Sequence, residues 1–398
     1  MKIPLGWRKV RLGDKCNTFS GGTPSRGNPA FFGPGIPWIK SGELNDGEIF
    51  STEESLTDEG IKQSAAQVVE PGTNLIALYG ATAGVVGRAR IRAAINQAIL
   101  AVVPNDGDII PDFLQFLLQR VGSETAKISQ GAQPNLNAGI VQERIISLPP
   151  SNEQLRIAAI LQTWADSIRK AEKYLTLKGN LRRGLMQQLL TGQTRFDELK
   201  VERWRTVRLG DLLEECDRYV NWSDDTAYRF ASIRRRSGGL FDRGTFYGRE
   251  VKTKVLKLLK AGDFVISKRQ VVHGAWAMVP EAFDGFGVSD EYDVLVNHDP
   301  KTLDMRFFNY LSQTRRLWHM AYLASNGVHI EKLIFDFDDF AKEKVKIPPT
   351  VKEQRKIIDV LSASDREIEL LEKELEALKE QKRGLMQKLL TGEVRVKI

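Results

Sequence analysis

Residues that could catalyse a reaction are scarce in this sequence of 398 residues, although two Pro-Pro pairs suggest comparison with a methyltransferase. An adenine methyltransferase grips a flipped base with an Asn/Asp-Pro-Pro-aromatic loop. Pro149-Pro150 and Pro348-Pro349 have neither the preceding amide or carboxylate nor the following aromatic residue. Gly-Lys-Ser/Thr does not occur, so a Walker-type phosphate loop is excluded. We therefore predict that the chain itself carries no methyltransferase or ATPase site.

The remaining catalytic patterns are also incomplete. Pro111-Asp112 could begin a nuclease signature, but the spacing from Glu124 to Lys127 is one residue too long for Glu-x-Lys. Two cysteines cannot supply a structural zinc site of the usual spacing. We expect no catalytic residue and no metal ligand, and the four histidines all lie in the second half of the chain: His273, His298, His319 and His329.

Polar loops in the first half carry side chains suited to nucleic-acid contacts. Ser20–Arg26 and Ile36–Gly42 combine hydroxyls and cations with glycines that permit close approach of the backbone to a ligand. The loop Ser129–Asn137 adds amides, which match the N6/N7 edge of adenine. An ordinary role in turns remains open. The DNA-contact candidates here are Thr23, Ser25, Arg26, Lys40, Ser41, Tyr79, Thr82, Arg88, Gln133, Asn135 and Asn137.

The second half places three consecutive arginines before Gly238-Gly239. Arginine is well suited to guanine O6/N7 and to phosphate. Ion pairing with the acidic run 336–339 is the structural alternative. The candidates from this half are Arg234, Arg235, Arg236, Lys268, Arg269, Gln270, Asn326 and His329.

The elements that must position these loops are repeated in the sequence. Trp7–Asp14 returns as Trp204–Asp211, and Arg183–Gly192 returns as Arg383–Gly392 with one substitution. Repetition of this kind indicates a duplicated architecture. We predict a first globular domain at 1–148, a spacer helix at 149–193, a second domain with its linker at 194–346 and a second spacer helix at 347–398.

Each repeat ends in a predicted helix of about 40 residues with a long apolar seam. Ser151 and Thr350 stand at the helix starts, and Gly192 and Gly392 suit left-handed caps at the ends. The short connections favour antiparallel helices, modules at opposite ends and neighbouring chain termini. Gly184 and Gly384 suggest close backbone approach, either between the two helices or with a partner. The predicted helix–helix packing residues are Leu161, Trp164, Ile168, Leu175, Leu185, Leu189, Leu361, Ile368, Leu371, Leu375, Leu378, Leu385 and Leu389.

Composition permits a nucleic-acid partner without establishing one. With 58 Lys and Arg against 51 Asp and Glu, the formal net charge is +7. A hydrophobic content of 42% excludes wholesale disorder. Cys16 and Cys216 suit two free thiols, and the N-terminal residues lack the apolar segment of a secretory signal, so we expect a cytoplasmic location.

Together these motifs resemble the specificity (S) subunits of type I restriction–modification systems. The resemblance is carried by Trp7–Asp14, by the Gly-Gly-Thr-Pro and Pro-Trp-Ile-Lys segments, by Pro-Pro-x-x-Glu-Gln, which returns in the second half with one more intervening residue, and by the repeated Arg-Gly-Leu-Met-Gln-x-Leu-Leu-Thr-Gly. It covers nearly the whole chain. It implies an α/β (α+β) fold with two target-recognition domains containing bent sheets. Each domain would read one half of a split DNA target, and two long antiparallel coiled-coil helices would set the gap.

The same resemblance implies partners that perform the chemistry. These are double-stranded DNA, two modification subunits that methylate adenine with S-adenosylmethionine, and restriction subunits that use ATP and Mg²⁺ to translocate and cut DNA. The chain itself would bind no cofactor. Three alternatives remain open: a specificity subunit paired with a fused methyltransferase–nuclease, a free-standing DNA enzyme, and a coiled-coil scaffold that never contacts bases.

Overall fold

A computed structural model describes residues 4–128, 136–200 and 202–397. Contacts divide the chain into two units, of which unit 1 comprises Met1–Lys173 with Lys373–Ile398 and unit 2 comprises Tyr174–Glu372. Each unit therefore contains one non-helical half of the repeat and a segment of both long helices. The finer limits predicted for the four segments remain a prediction.

The part of unit 1 that precedes the first long helix is a mixed α and β structure. Its strands are β1 (Arg8–Arg11), β2 (Cys16–Ser20), β3 (Phe32–Ile39), β4 (Glu48–Ile49), β5 (Glu54–Leu56), β6 (Gln67–Val69), β7 (Asn74–Ala77), β8 (Val86–Ala89), β9 (Ala93–Ile95), β10 (Ile99–Pro104) and β11 (Ile145–Leu148). Its short helices are α1 (Leu12–Lys15), α2 (Asp58–Lys62), α3 (Pro111–Ile128) and α4 (Ala138–Gln142).

The strands of unit 1 form three sheets. A five-stranded sheet has the order β2-β10-β7-β8-β4, a four-stranded sheet has the order β5-β3-β9-β6, and β1 pairs with β11. Strand β10 is central, since it pairs antiparallel with both β2 and β7. All four residues of β7 are buried, as its continuous apolar run requires.

In the sequence, the two long helices flank the strands and short helices of unit 2. They are α5 (Ser151–Thr191) and α9 (Val351–Thr391). The strands of unit 2 are β12 (Arg205–Arg208), β13 (Leu213–Glu215), β14 (Ala227–Ile233), β15 (Leu240–Tyr247), β16 (Lys257–Leu258), β17 (Phe264–Ser267), β18 (Trp276–Met278), β19 (Gly287–Val288), β20 (Tyr292–Asn297), β21 (Ser325–Asn326), β22 (Ile334–Phe335) and β23 (Lys344–Ile347). Its short helices are α6 (Met305–Ser312), α7 (Arg315–Leu323) and α8 (Phe337–Lys342).

The sheets of unit 2 repeat those of unit 1 where the sequences no longer resemble each other. The order β13-β20-β17-β18 matches β2-β10-β7-β8, the order β15-β14-β19-β16 matches β5-β3-β9-β6, and β12-β23 matches β1-β11. Strand β4 and the small sheet β21-β22 have no such counterpart among the described residues. The duplication is therefore one of complete frameworks, and the differences concern additions at their edges.

Both long helices are present, and each lies within the segment predicted to contain it. Thr350 accepts a hydrogen bond from the N–H of Glu353 at 3.3 Å, as expected of a residue that caps a helix start. Gly192 and Gly392 both have φ of 73°, the left-handed conformation in which glycine commonly ends a helix. Both helices are 41 residues long, which corresponds to about 60 Å at ~1.5 Å per residue.

Within each unit, the segments of α5 and α9 run in opposite directions. In unit 1, Lys379 pairs with Glu172 at 3.1 Å, and Leu389 shares a core with Leu161. In unit 2, Lys178 pairs with Glu367 at 2.7 Å. Pairs in which one residue number rises as the other falls are the pattern of antiparallel helices.

The predicted seam lies on the packed side of these segments. Leu161, Leu189, Leu361, Leu375 and Leu389 are buried, and the other predicted packing residues are half-buried. The prediction that the two helices approach each other closely at Gly184 and Gly384 is wrong for the residues that the structure describes. A Cβ at Gly184 or Gly384 would meet nothing within 4 Å, because both glycines face away from the seam.

The repeated Glu-Gln at each helix start anchors the helix to its own unit. In unit 1, Glu153 accepts hydrogen bonds from Trp7 Nε1 at 3.1 Å and Arg395 Nε at 2.9 Å. Gln154 accepts the N–H of Ile110 at 2.9 Å and donates to two backbone carbonyls. These bonds give the repeated Glu-Gln a structural function in unit 1.

Unit 2 repeats the arrangement. Glu353 accepts from Trp204 Nε1 at 3.0 Å and from Arg195 through both carboxylate oxygens at 2.8 Å. Gln354 accepts the N–H of Asp304 at 2.8 Å. Each clasp, defined as the buried glutamate with its tryptophan and arginine, closes the hydrophobic core where a long helix begins.

The neighbouring chain termini predicted from the connections are present within unit 1. Arg395 donates to the carbonyl of Leu5 at 3.1 Å as well as to Glu153. Val396 packs against the core that contains Trp7. The C-terminal segment therefore occupies in unit 1 the position that the 192–204 connection occupies in unit 2.

Candidate nucleic-acid interface

The three consecutive arginines of unit 2 lie in the turn that joins β14 to β15. Arg236 and Ser237 have φ of 57° and 53°, an uncommon conformation for residues other than glycine. Their N–H groups donate to the carbonyls of His273 and Gly274 at 2.7 and 2.8 Å. The turn is thereby held against the loop that follows β17, and the arginines project from a defined position.

The three arginine side chains have different environments. Arg234 lies over the ring of Phe241 at 5.0 Å, and Arg235 Nε donates to Gln270 Oε1 at 2.6 Å. Arg236 is exposed and has no side-chain hydrogen bond or ion pair with the residues that the structure describes. Arg236 is therefore the member of the run whose guanidinium is available to a ligand.

Two further predicted cations in this loop are paired with acidic residues. Lys268 pairs with Asp293 at 3.0 Å, and Arg269 pairs with Glu291 at 2.6 Å. The hydrogen bond to Glu291 raises the pKa of Arg269. The N–H of Phe335 donates to the carbonyl of Lys268 at 2.9 Å, which brings the segment around β21 and β22 beside this loop.

That segment carries the last two candidates of unit 2. Asn326 and His329 are exposed on either side of Val328, whose side chain is 90% exposed. Lys342 and, secondarily, Asn326 bond Asp339 and lower its pKa. The acidic run thus serves local pairing rather than the pairing with the three arginines considered from the sequence.

In unit 1, loops from several strands also meet at one end of the sheets. The N–H of Leu78 donates to the carbonyl of Ala98 at 2.8 Å, and the N–H of Leu136 donates to the carbonyl of Leu78 at 2.7 Å. Thr23 bonds the side chain of Gln97. The structure therefore brings Thr23 close to the segment after β7 that contains Tyr79 and to Leu136, which precedes Asn137.

Two predicted cations of unit 1 are neutralised within the protein. Arg26 and Lys40 both bond Glu54, at 2.7 and 3.0 Å, and Lys40 also pairs with Glu53 at 2.9 Å. Hydrogen bonds from Arg26 and Lys40 lower the pKa of Glu54 to about 2. The Arg26 guanidinium also lies over the Phe32 ring at 4.5 Å. This cluster shapes the loop surface, but its charge is largely balanced.

The glycines of the Ser20–Arg26 loop face the protein and not a ligand, which corrects their predicted role. The N–H of Gly22 donates to the carbonyl of Ile95 at 3.0 Å. A Cβ at Gly21 would overlap that carbonyl oxygen, and one at Gly22 would overlap the backbone at Ala65. Close approach is required here, as glycine predicts, but it joins two segments of the same unit.

Arg88 does not belong to the predicted surface. It lies on buried strand β8, donates to the carbonyl of Gly72 at 3.1 Å and pairs with Asp112. Burial lowers the pKa of Arg88. Asn137 caps α4 by accepting the N–H of Ile140 at 2.9 Å, so its carbonyl oxygen has a structural function.

The remaining candidates of unit 1 occupy loop positions, and two cannot be placed. Ser25 is exposed, whereas Ser41 and Thr82 are half-buried and Tyr79 is 39% exposed. Gln133 and Asn135 lie outside the described residues.

Sequence reasoning missed several polar residues that the fold places on loop surfaces. Gln97 is exposed in the tight turn between β9 and β10. Gln133 was chosen because it is an amide side chain in a polar loop, and the same criterion would have found Gln97. Arg243 and Lys252 are exposed near the β14–β15 hairpin. Arg243 is not part of a local basic run, so no sequence signal distinguished it, whereas Lys252 lies in the basic stretch 249–260, which sequence reasoning did not single out.

The described parts of the chain provide no alternative site of obvious chemistry. They contain no group of three or more His, Cys, Asp or Glu side chains arranged to hold a metal ion. Among their helices, none has both the length and the apolar composition that a membrane span requires.

Comparison with known proteins relates both halves of the chain to one family. The family model for the type I restriction modification DNA specificity domain matches residues 4–177 and again residues 201–380. The type I restriction enzyme MjaVIII specificity subunit of Methanocaldococcus jannaschii is 22% identical over 100% of this chain and 95% of its own length. The MjaIX specificity subunit of the same organism is 28% identical over 54% of this chain, and the chain spans about half, 53%, of that relative.

Solved structures show the same fold at low sequence identity. The S subunit of a type I restriction–modification system from M. genitalium superimposes with a TM-score of 0.57 at 14% identity and covers 98% of both chains. A chain from a study of complex assembly and conformational transition of the type I system superimposes with a TM-score of 0.61 at 18% identity, over 99% of this chain and 100% of that one.

The two matches of the family model coincide with the two frameworks of equal strand order, and the named relatives are specificity subunits. That agreement fits the expectation of a subunit without an active site of its own. This chain belongs to the family defined by the type I restriction–modification DNA specificity domain, and it carries that domain twice.

Proposed function

We propose that this chain is the sequence-reading subunit of a type I restriction–modification complex and that each unit contacts one half of a bipartite DNA target. The observation that carries the proposal is the pair of frameworks with the same strand order and dissimilar loops. A duplicated framework can bind two copies of one partner through equivalent surfaces. Dissimilar loops make the two units different only where they would meet DNA.

The loops that follow corresponding strands support this division of roles. After β7, unit 1 presents Tyr79 and Thr82, whereas after β17 unit 2 presents Lys268, Arg269 and Gln270. Side chains of different hydrogen-bonding capacity at equivalent positions would select different base edges. Discrimination of about 1–3 kcal/mol per base pair would then add up over the two half-sites.

The chemistry in this proposal belongs to partner subunits. Modification subunits would bind S-adenosylmethionine and methylate adenine, and restriction subunits would use ATP and Mg²⁺ to translocate and cut DNA. The two long helices would set the gap between the half-sites. The complex would act in the cytoplasm, where cellular DNA is available and the free thiols of Cys16 and Cys216 are kept reduced.

Methyl transfer and DNA binding test this proposal directly. The full chain is incubated with labelled S-adenosylmethionine and DNA, with and without the modification subunit encoded beside it. We expect transfer only in the presence of that subunit, and only on duplexes that contain one bipartite sequence. Transfer by the purified chain alone, or equal binding of the complex to all duplexes at fixed salt, would contradict the proposal.

The repeated Arg-Gly-Leu-Met-Gln segments are candidate surfaces for the two modification subunits. Gly184 and Gly384 lie at equivalent positions on exposed helix faces, and a Cβ added to either would have no neighbour within 4 Å among the described residues. A glycine in a helix interior costs about 1 kcal/mol relative to alanine. Its presence in both copies is explained if a partner's backbone approaches each helix there.

Replacing both glycines, as Gly184→Ala with Gly384→Ala, is expected to raise the melting temperature of the chain alone and to weaken assembly with modification subunits. Added methyl groups in a closely packed interface cost about 1–3 kcal/mol, which corresponds to a loss of affinity of roughly 5- to 150-fold. Calorimetry and analytical ultracentrifugation measure the two effects.

Gly179→Ala is the matched control, because Gly179 is also in α5 with nothing within 4 Å, and its counterpart in the second repeat is Lys379. It should stabilise the chain without affecting assembly. Wild-type affinity of the double variant for the modification subunits would exclude close approach at these glycines.

A further inference from the structure

The β14–β15 hairpin of unit 2 contains a bulge that places one arginine outside the strand ladder. Phe230 pairs with Gly244, but the next residue, Ala231, pairs with Asp242, so Arg243 has no partner on β14. Gly244 has φ of 104°, which favours glycine. Bulges of this kind redirect a side chain and recur beside functional sites.

Arg243 lines a cavity of about 350 Å³ on this sheet. The cavity combines two aromatic rings with cationic and hydroxyl side chains, and the residues that matter are Phe230, Arg243, Phe246, Lys252, Thr253 and Ser289. Arg243 and Lys252 form no hydrogen bond or ion pair through their side chains with the residues that the structure describes. Two cations and two hydroxyl donors therefore converge on one open space.

The acidic residue that lines the cavity, Glu250, accepts a hydrogen bond from the backbone. Glu250 accepts the N–H of Tyr247 at 2.7 Å, which holds its carboxylate at the start of a single helical turn. Another cation nearby is paired, since Arg229 bonds Asp242 at 2.7 Å. The side chains that line the cavity therefore carry two cations against one carboxylate, a net positive charge.

From this arrangement we infer that the cavity binds a backbone phosphate of DNA in the half-site read by unit 2. The inference rests on the proposed function. Arginine, lysine and hydroxyl groups are the usual ligands of DNA phosphates, and such contacts set the register of a protein on the duplex. Phe230 and Phe246 form the apolar wall beside which the cations are held.

The position of the cavity on the hairpin supports this role. Phe230 and Arg234 are four residues apart on β14 and its turn, or about 13 Å at ~3.3 Å per residue. Strands β14 and β15 belong to a four-stranded sheet, and Ala231, Ile233 and Leu240 are buried in its core, so the turn is the part of the hairpin that could enter a major groove, which is about 12 Å wide in B-DNA. A phosphate held at the cavity would therefore place the turn that carries Arg236 in or beside the groove.

The test compares Arg243→Ala, Lys252→Ala and the double variant with the wild type, each as the full chain in complex with modification subunits. Binding to the target duplex and to an unrelated duplex is measured over a range of salt concentrations. We expect the magnitude of the slope of log K against log salt to fall by about 0.9 in the double variant, in which the phosphate is no longer neutralised, and by less in each single variant, which keeps one cation at the phosphate. Affinity should fall equally for both duplexes, and the methylated sequence should stay the same.

Two controls isolate the cavity. Lys346→Ala removes an exposed lysine from β23, in a different sheet of unit 2, and should keep the wild-type slope. Arg243→Lys retains the charge and should keep most of the slope. Melting curves check that each variant is folded, which the exposure of Arg243 and Lys252 leads us to expect.

A wild-type salt slope in the double variant would overturn the inference. So would a change of specificity at one base pair with an unchanged slope, because the cavity would then read a base. A wild-type complex without any sequence preference would instead contradict the proposed function, and the slopes on either duplex would still decide the phosphate assignment.

Discussion

Exchanging residues 202–346 for the second domain of another family member is expected to replace one half of the recognised sequence and leave the other half unchanged. The exchanged segment contains the sheets and loops of unit 2, whereas the helix anchors Glu353 and Gln354 stay in place. Because each mismatched base pair costs about 1–3 kcal/mol, the original half-site should no longer be methylated.

Mapping of methylated positions in host DNA measures this outcome. The matched control exchanges residues 1–148 from the same donor, which should change the opposite half. The donor must retain the tryptophan equivalent to Trp204, because its indole N–H completes the clasp with Glu353. An altered sequence in both halves after either exchange would refute independent reading by the two units.

Glu353→Ala is expected to destabilise unit 2 by about 3–5 kcal/mol, as found when one partner of a buried ion pair is removed. Glu353 is 1% exposed and accepts hydrogen bonds from Trp204 and Arg195. Its hydrogen bonds to Arg195 raise the pKa of that guanidinium, which stays charged when the glutamate is removed. The variant would therefore leave a cation and an indole N–H without their acceptor.

Hydrogen–deuterium exchange of the full chain measures this effect for each unit separately. Protection should fall in unit 2 for Glu353→Ala and in unit 1 for Glu153→Ala, since Glu153 has the equivalent partners Trp7 and Arg395. Glu374→Ala is the control: this exposed glutamate of α9 should change the free energy of unfolding by less than about 0.5 kcal/mol. A destabilisation below about 1 kcal/mol at either clasp, far under the cost of breaking a buried ion pair, would mean that the helix starts are held chiefly by apolar packing.

Each clasp joins motif residues that are far apart in the sequence. Trp204 and Glu353 are separated by 149 residues, and Trp7 and Glu153 by 146. A tryptophan at the first strand and a glutamate at the helix start become partners only when the first and last strands of a unit pair, as β12 and β23 do. The tryptophan and glutamate motifs therefore mark the two ends of the chain segment that forms the sheets of each unit.

Several site residues could be predicted because their signal is local. The arginines at 234–236 precede Gly238-Gly239, and that composition correctly indicated a turn. The same reasoning was wrong for Arg88, because Arg88 lies on the buried strand β8 and pairs with Asp112, which belongs to a helix that follows two further strands. Arg243 could not be recognised from the sequence, because its unpaired position results from the register of β14 against β15.

The amino-acid sequence by itself determined the duplication, both long helices with their glycine ends, the apolar seam and the family, because repetition, periodicity and capping are properties of neighbouring residues. Only the tertiary structure decided that Gly21 meets the backbone at Ile95, that Gly184 is open, and that Glu153 and Glu353 are clasped. The physical reason is that hydrogen bonds and charge balance depend on partners brought together across a hundred or more residues by the pairing of strands, which no local pattern records.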